Sequence, residues 1–145
     1  MIKRINRKRR INKNRDGIAV TECALCVPLI IMFTLFSIEV CSVLFLKETI
    51  TLAAYEGSRI GIQRGGTDAN ARTRITQLLD ERGVTYKDDA VVEFSDPSFD
   101  DAMALEHVTV NVAVPIEGNL FSGWLFDGRE LEASVTMRKE YPNPN

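Results

Sequence analysis

The sequence predicts an α+β fold in which a long N-terminal helix continues into a small domain. An apolar run covers residues 18–46, a helical stripe lies between residues 67 and 83, and apolar and polar residues alternate over residues 108–114 and 131–138. The stripe has the period of a helix, and the alternation has the period of a half-buried strand. We therefore expect the domain to hold a second helix and a sheet of about three or four mostly antiparallel strands.

The apolar run is long enough to cross a bilayer. A transmembrane helix needs about 20 apolar residues to span a hydrocarbon core of roughly 30 Å. As a helix, the run from Ile18 to Leu46 would be about 43 Å long at ~1.5 Å per residue, so it should tilt or project on the outer side. We divide the chain into a basic leader at residues 1–17, a transmembrane helix at 18–46 and an extracytoplasmic α+β domain at 47–145.

Charge is distributed very unevenly along the chain. Residues 1–16 hold eight Lys or Arg and one Asp, whereas residues 17–145 hold ten Lys or Arg and nineteen Asp or Glu. Basic residues beside an apolar span stay in the cytoplasm, so the later part of the chain should cross the membrane. A basic arm is also typical of nucleic-acid binding, but this one lacks aromatic residues. Attraction to anionic lipid explains it, and we expect membrane lipid, not nucleic acid, as its partner.

Glu22 is the anomalous residue of the apolar run, five positions after Gly17. A carboxylate costs on the order of 2.5–3.5 kcal/mol at the centre of a membrane helix, and less near its edge. One interpretation is an acid at the helix end that reaches the headgroups. The other is that cleavage after Gly17 frees an amine on Ile18. That amine is too close to pair well with its own Glu22, but it can reach the Glu22 of a shifted neighbour.

Two further residues in the run depart from membrane composition. Pro28 cannot donate to the carbonyl of Ala24, which predicts a kink, either as a simple bend or as a local adjustment during packing. Glu39 lies about 25 Å beyond Glu22 along a helix. It is either an acid at the outer water boundary or a lateral contact with another subunit.

Beyond the lipid, the first helix is expected to continue to about Arg64, where Gly65-Gly66 breaks it. Small and apolar residues recur there on one narrow face, at Ile50, Ala53, Ala54, Gly57 and Ile60. Such a face lets another backbone approach closely. Glu56 and Arg59 lie off this face with the spacing of a weak ion pair.

The rest of the domain is expected to hold one helix and several strands. Thr67 or Asp68 can cap the second helix and Gly83 can end it, and its wet face is predicted at Arg72, Arg74, Asp80 and Glu81. Strands are predicted at residues 90–94, 108–114 and 131–138, with a short piece at 84–86. Segment 119–128 either folds onto the sheet or forms an exposed contact patch, because it carries Leu120, Phe121, Trp124, Leu125 and Phe126.

No catalytic constellation is present in the sequence. His107 is the only histidine, beside a strand start, and no serine or cysteine outside the span has a second histidine to serve it. In lipid, thiols behave as small apolar groups, which is how we interpret Cys23, Cys26 and Cys41. The acids that remain available for calcium lack EF-hand spacing, namely Asp88, Asp89, Asp96, Asp100 and Asp101. We predict no enzymatic activity, no metal and no cofactor.

Part of the sequence resembles a known family. The residues concerned are Gly17, Ala19, Val20, Glu22, Ala24, Leu25 and Pro28, then Ser37-Ile38-Glu39, then Ala53-Ala54-Tyr55-Glu56-Gly57-Ser58-Arg59. Glycine with glutamate five positions later resembles the processing signal of type IV prepilins and pseudopilins. The whole string, over roughly residues 15–65, resembles the TadE-like pseudopilins of tight-adherence (Flp, type IVb) pilus systems.

This resemblance implies a pilin-like fold and a structural role. A prepilin peptidase would cut between Gly17 and Ile18, and Glu22, Pro28 and Glu39 would act in assembly. The family motif would comprise Ala53, Ala54, Glu56, Gly57 and Arg59. Implied partners are that peptidase, a Flp-type major pilin, other pseudopilins and the inner-membrane assembly platform.

The implied protein is a minor pilin of the bacterial inner membrane with a periplasmic domain, which supports pilus biogenesis and surface adhesion. The alternative is an uncleaved single-pass membrane protein whose outer domain binds a partner or a surface.

Overall fold

The computed structural model describes residues 13–87, 91–123 and 128–141, with side chains from Gly17 onward. The elements are α1 (Lys13–Gly61), α2 (Asp68–Glu81), β1 (Val92–Phe94), β2 (His107–Pro115) and β3 (Glu130–Arg138). Both strand pairs are antiparallel, and the sheet order is β1-β2-β3. The predicted α+β fold is therefore confirmed, with three strands in the described part of the chain.

The chain forms two compact units, one ending at Ile38 and the other beginning at Glu39. In the first unit, the large apolar side chains of α1 are exposed, including Leu25 and Phe33. Within the described residues, one helix is long and apolar enough to cross a membrane. The boundaries predicted for the leader and the span stay predictions.

The second unit is organised around one hydrophobic core. Alternate residues of β2 are fully buried, as the period of a half-buried strand predicts; they are Val108, Val110, Val112 and Val114. Helix α2 contributes Ala71, Ile75, Leu78 and Leu79 to the core, and α1 contributes Leu46, Ile50, Ala53 and Ala54. The same core also takes in Phe99, from the loop between β1 and β2.

Both ends of α2 form where the sequence predicts them. Thr67 is the N-cap, since its hydroxyl accepts a hydrogen bond from the Asn70 N–H at 3.2 Å. The other predicted cap, Asp68, accepts a hydrogen bond from the Phe99 N–H at 2.8 Å instead. Gly83 has a φ of 65°, and its N–H donates to Asp80 at the helix end. A positive φ of this kind favours glycine.

Three local predictions are wrong. Helix α1 ends at Gly61 instead of Arg64, because the next amide groups tighten into a turn in which Gln63 donates to Ile60. The short strand predicted at 84–86 does not form, since the N–H and C=O of Thr85 both bond to the side chain of Asn119. Arg72 is half-buried instead of facing water.

The Arg72 guanidinium bridges α2 and β1. It donates to the Val92 carbonyl at 2.8 Å and lies 5.6 Å from the centre of the Phe94 ring. A cation over an aromatic face is attracted by the ring quadrupole. Because of these contacts, the Arg72 side chain packs against β1, although its position on the helix predicts that it faces water.

Several predictions fall on residues outside the described part of the chain. These are most of the leader, Asp88, Asp89 and Ala90, the trio Trp124, Leu125 and Phe126, and the tail after Tyr141. In the described part of segment 119–128, Leu120 is 9% exposed and Phe121 is 84% exposed. One apolar side chain therefore folds inward and the next one is presented outward.

Candidate processing and assembly site

The predicted cleavage site lies in an open part of α1. Gly17 and Ile18 are both exposed, and a Cβ added at Gly17 would meet no heavy atom within 4 Å. Packing among the described residues therefore gives no reason for a glycine at this position.

Glu22 lies one turn further along the same helix and is exposed. Among the described residues, no hydrogen-bond or salt-bridge partner contacts its carboxylate. Two threonine hydroxyls of the same segment bond to carbonyl groups of their own helix. Thr21 donates to the Ile18 carbonyl at 2.7 Å, and Thr34 donates to the Ile30 carbonyl at 2.8 Å. In hydrocarbon, such internal bonds remove the cost of a bare hydroxyl. The described part of the segment holds no such internal partner for Glu22.

Pro28 lies inside α1, which is assigned as helix without a break on either side of it. Cys23, Cys26 and Cys41 are free thiols on the exposed surface of the same helix. An apolar environment suits thiols, which behave as small hydrophobic groups. Among the described side chains of residues 17–38, only Glu22 conflicts with placement in lipid.

Glu39 begins the second unit and contacts the domain directly. Its Oε1 accepts a hydrogen bond from the Ser122 N–H at 3.0 Å, and the Ser122 hydroxyl donates to the same oxygen. Hydrogen bonds to a charged acceptor are stronger than neutral ones, at about 1.5–3 kcal/mol each. The carboxylate thus fixes the loop that follows β2 to the helix. Lateral contact of Glu39 with another subunit stays a prediction.

The small-residue face of α1 is where α2 crosses closely. Ala53, Ala54 and Gly57 are buried. A Cβ added at Gly57 would lie 2.4 Å from Ile75 Cγ1 and 3.1 Å from the Ala71 carbonyl oxygen. Any larger residue at the crossing would therefore require the Ile75 side chain or α2 to shift. This confirms the prediction that the face admits another backbone.

Glu56 and Arg59 form the predicted pair off this face. Arg59 Nη1 lies 3.7 Å from Glu56 Oε1, and the Arg59 side chain is 61% exposed. Exposed pairs of this spacing contribute only a few tenths of a kcal/mol. The pair therefore contributes little to stability, while the neighbouring small residues determine how the helix packs.

The polar residues considered for chemistry lie on the surface. His107 is the first residue of β2 and is exposed, as predicted for a strand end. Asp96, Asp100 and Asp101 are also exposed. Across the described ranges, no group of three or more His, Cys, Asp or Glu side chains is placed to hold a metal ion.

Sequence reasoning missed Ser122 and Asn119. Asn119 donates through Nδ2 to the carbonyls of Thr85 and Pro115, at 2.7 and 2.8 Å, and accepts from the Thr85 N–H. Ser122 bonds to Glu39 and Asn119 bonds to Thr85, which are distant in sequence, whereas Pro115 is only four residues from Asn119. The one available signal was the presence of two small polar residues in an otherwise apolar segment.

The described residues define a class of protein, in which a helix that could span a membrane passes into a small α+β domain. Residues 17–59 match the model of the TadE-like protein family. The match begins at Gly17 and ends at Arg59, so it includes Glu22 and the small-residue face up to Gly57. The resemblance to TadE-like proteins is thereby confirmed over this segment. No curated protein and no solved structure matches the chain.

The TadE-like family suggests a protein associated with the Tad pilus. Proteins of this kind are structural and not enzymatic. The apolar helix that carries the match is consistent with a membrane protein.

Proposed function

We propose that the chain is a minor pilin or pseudopilin of a tight-adherence (Flp, type IVb) pilus or a related secretion system. A prepilin peptidase cuts it after Gly17, and the mature protein supports pilus biogenesis and surface adhesion from the bacterial inner membrane. Its N-terminus faces the cytoplasm and its domain the periplasm. The observation that carries the proposal is the TadE-like match over residues 17–59, which starts at the predicted cleavage site.

The surroundings of Gly17 support processing there. Gly57 is required by a close helix crossing, whereas the space around Gly17 is open. Glycine also lowers helix stability by roughly 1 kcal/mol relative to alanine. A glycine with no packing reason, at a position where it weakens the helix, fits recognition by a peptidase that must reach the backbone.

The bare carboxylate of Glu22 supports assembly through a second subunit. Lipid penalises an unpaired carboxylate, and the described part of the chain offers Glu22 no partner. Cleavage would create a cationic amine on Ile18 in every subunit. A neighbour displaced along the helix axis brings that amine to Glu22, so the pair forms only in the assembled state and sets the register.

The proposed partners follow from this mechanism. They are the prepilin peptidase, a Flp-type major pilin, other pseudopilins and the inner-membrane assembly platform. The first acts on Gly17 and Ile18, and the pilins meet the apolar surface of α1.

The test replaces Glu22 with valine in the producing cell. We expect Glu22→Val to leave the protein inserted and its domain folded, while pilus number falls about tenfold or more because the intersubunit pair contributes several kcal/mol in lipid. Thr34→Val is the matched control, since it also replaces a polar residue of the span but one whose hydroxyl bonds within its own helix. Normal piliation in the Glu22→Val strain would reject the assembly role.

A further inference from the structure

In the described part of the loop after β2, one aromatic side chain is presented to the surroundings. Phe121 is 84% exposed, although the preceding Leu120 is almost fully buried. The loop is well tied on both sides of Phe121. Leu120 donates to Ile116 at 3.3 Å, and the Gly123 N–H donates back to Leu120 at 3.2 Å. The exposure of Phe121 is therefore a property of a defined turn.

The position of this turn is set by the helix. Ser122, next to Phe121, donates both its N–H and its hydroxyl to Glu39 Oε1. Asn119 fixes the other side of the turn through its three bonds to Thr85 and Pro115. The ring of Phe121 consequently lies close to the level of Glu39 along α1.

Glu39 lies one hydrocarbon thickness along a span that begins at Ile18. From Ile18 to Ile38 a helix rises about 30 Å at ~1.5 Å per residue, which equals the roughly 30 Å of a bilayer's hydrocarbon core. Glu39 is the next residue. Beyond it, Val40, Leu44 and Phe45 remain apolar and exposed, so the boundary is at Glu39 or further out. The turn that holds Phe121 is thus at the membrane surface or below it.

We propose that Phe121 is an interfacial anchor that inserts into the outer leaflet of the membrane crossed by α1. Its partner is lipid, at the level where headgroups meet acyl chains. Aromatic side chains accumulate at this depth, and apolar side chains buried there bind a surface segment to the bilayer. The proposal rests on the proposed function, in which α1 crosses the membrane. It adds a second contact, next to the residue that bonds Glu39, through which the domain is held against the membrane.

The loop between β1 and β2 provides an internal contrast. It also exposes large apolar side chains, Met103 at 71% and Leu105 at 63%. The Leu105 N–H donates to the Lys139 carbonyl at the end of β3, so this loop is tied to the sheet and not to α1. We expect Met103 to face water.

The test measures the depth of a nitroxide label by electron paramagnetic resonance. The full chain is prepared with Cys23, Cys26 and Cys41 replaced by alanine and with one new cysteine, from Phe121→Cys, Met103→Cys or Met32→Cys. Each protein is reconstituted at about one copy per vesicle into phosphatidylethanolamine–phosphatidylglycerol liposomes. Collision rates are recorded with oxygen, which concentrates in lipid, and with a water-soluble nickel complex.

We expect the oxygen-to-nickel collision ratio at position 121 to be several-fold higher than at position 103 and to approach that at position 32. Equal ratios at 121 and 103 would place the ring in water and overturn the proposal. Low collision with both reagents at 121 would indicate a protein contact, such as a second copy, and would overturn it as well. A water-like ratio at position 32 would instead show that α1 does not cross the membrane, and it would contradict the proposed function as well.

A second variant tests the role of Glu39 as a positioning residue. Adding Glu39→Ala to the Phe121→Cys protein should lower the oxygen-to-nickel ratio at 121, because the turn loses both bonds to the helix. The ratio at 32 should stay unchanged. An unaltered ratio at 121 would show that Glu39 does not set the depth of the turn.

Discussion

Glu39 and Ser122 are joined by two hydrogen bonds across 83 residues of sequence. Glu39 begins the compact unit that contains the domain, and Ser122 lies in the loop after β2. The Glu39 carboxylate, which lies beside an apolar segment, is therefore hydrogen-bonded within the fold. The position of the loop after β2 is therefore tied to that of helix α1.

We predict that Glu39→Ala increases hydrogen exchange at the Ser122 amide by about ten- to a hundredfold, since hydrogen bonds to charged groups contribute about 1.5–3 kcal/mol. The measurement is exchange with mass spectrometry on the full chain in nanodiscs. Amides of β2 should keep their protection, because that strand is held by both of its neighbours. Glu48→Ala, which removes an exposed carboxylate from the same helix, is the control. Unchanged exchange at Ser122 would mean that the contact does not hold the loop.

We predict that Gly57→Ala destabilises the domain by about 1–3 kcal/mol, the usual cost of overpacking. The added Cβ would lie 2.4 Å from Ile75 Cγ1 and 2.6 Å from Ile75 Cδ1, and Ile75 is fully buried. Thermal unfolding of the full chain in detergent should show a melting temperature lower by several degrees.

Two variants isolate the cause of that loss. Gly17→Ala makes the same substitution in the same helix in open space, so it should be neutral or slightly stabilising. Ile75→Ala removes both clashing carbons, so the penalty of Gly57→Ala should shrink in that background. Strictly additive effects would contradict the assigned crossing between α1 and α2.

We predict that Thr49→Val is neutral or stabilises the domain by up to about 1 kcal/mol, because a buried hydroxyl without a partner carries a desolvation cost. Thr49 is 1% exposed, and its Oγ1 has no hydrogen-bond partner among the described residues. Chemical denaturation of the full chain would measure the change in the free energy of unfolding.

The control for this prediction is Thr51→Val, two residues along the same helix. The Thr51 hydroxyl is exposed and donates to the Lys47 carbonyl at 2.7 Å, so its replacement should bring no gain in stability. A clear loss of stability in Thr49→Val would show that its hydroxyl finds a partner after all.

Most of the fold could be predicted because its signals are local. The alternation around Val110 specifies a half-buried strand, and Thr67 and Gly83 mark the two ends of α2 through turn chemistry that involves adjacent residues. The run of small residues around Gly57 even predicted a close backbone approach, although it could not identify α2 as the approaching element.

Apart from the end of α1, which a local turn sets, the errors and omissions involve contacts between distant parts of the chain. Arg72 has the sequence position of a solvent residue, yet the carbonyl of Val92 and the ring of Phe94 draw it inward. The end of α1 depends on the turn after Gly61, and the loss of the strand at 84–86 depends on Asn119. The bond between Glu39 and Ser122 follows from the folded geometry alone.

The central claim is that the protein is a processed, pilin-like subunit, and the intact mass of its membrane form tests this most directly. The protein would be recovered from membranes of the producing cell, with its prepilin peptidase present or deleted, and its N-terminal peptide sequenced. With the peptidase present, we predict a chain that begins at Ile18 and lacks residues 1–17; without it, those residues should remain. A pilus-supporting membrane form that retains Met1 to Gly17 in the presence of the peptidase would contradict the claim.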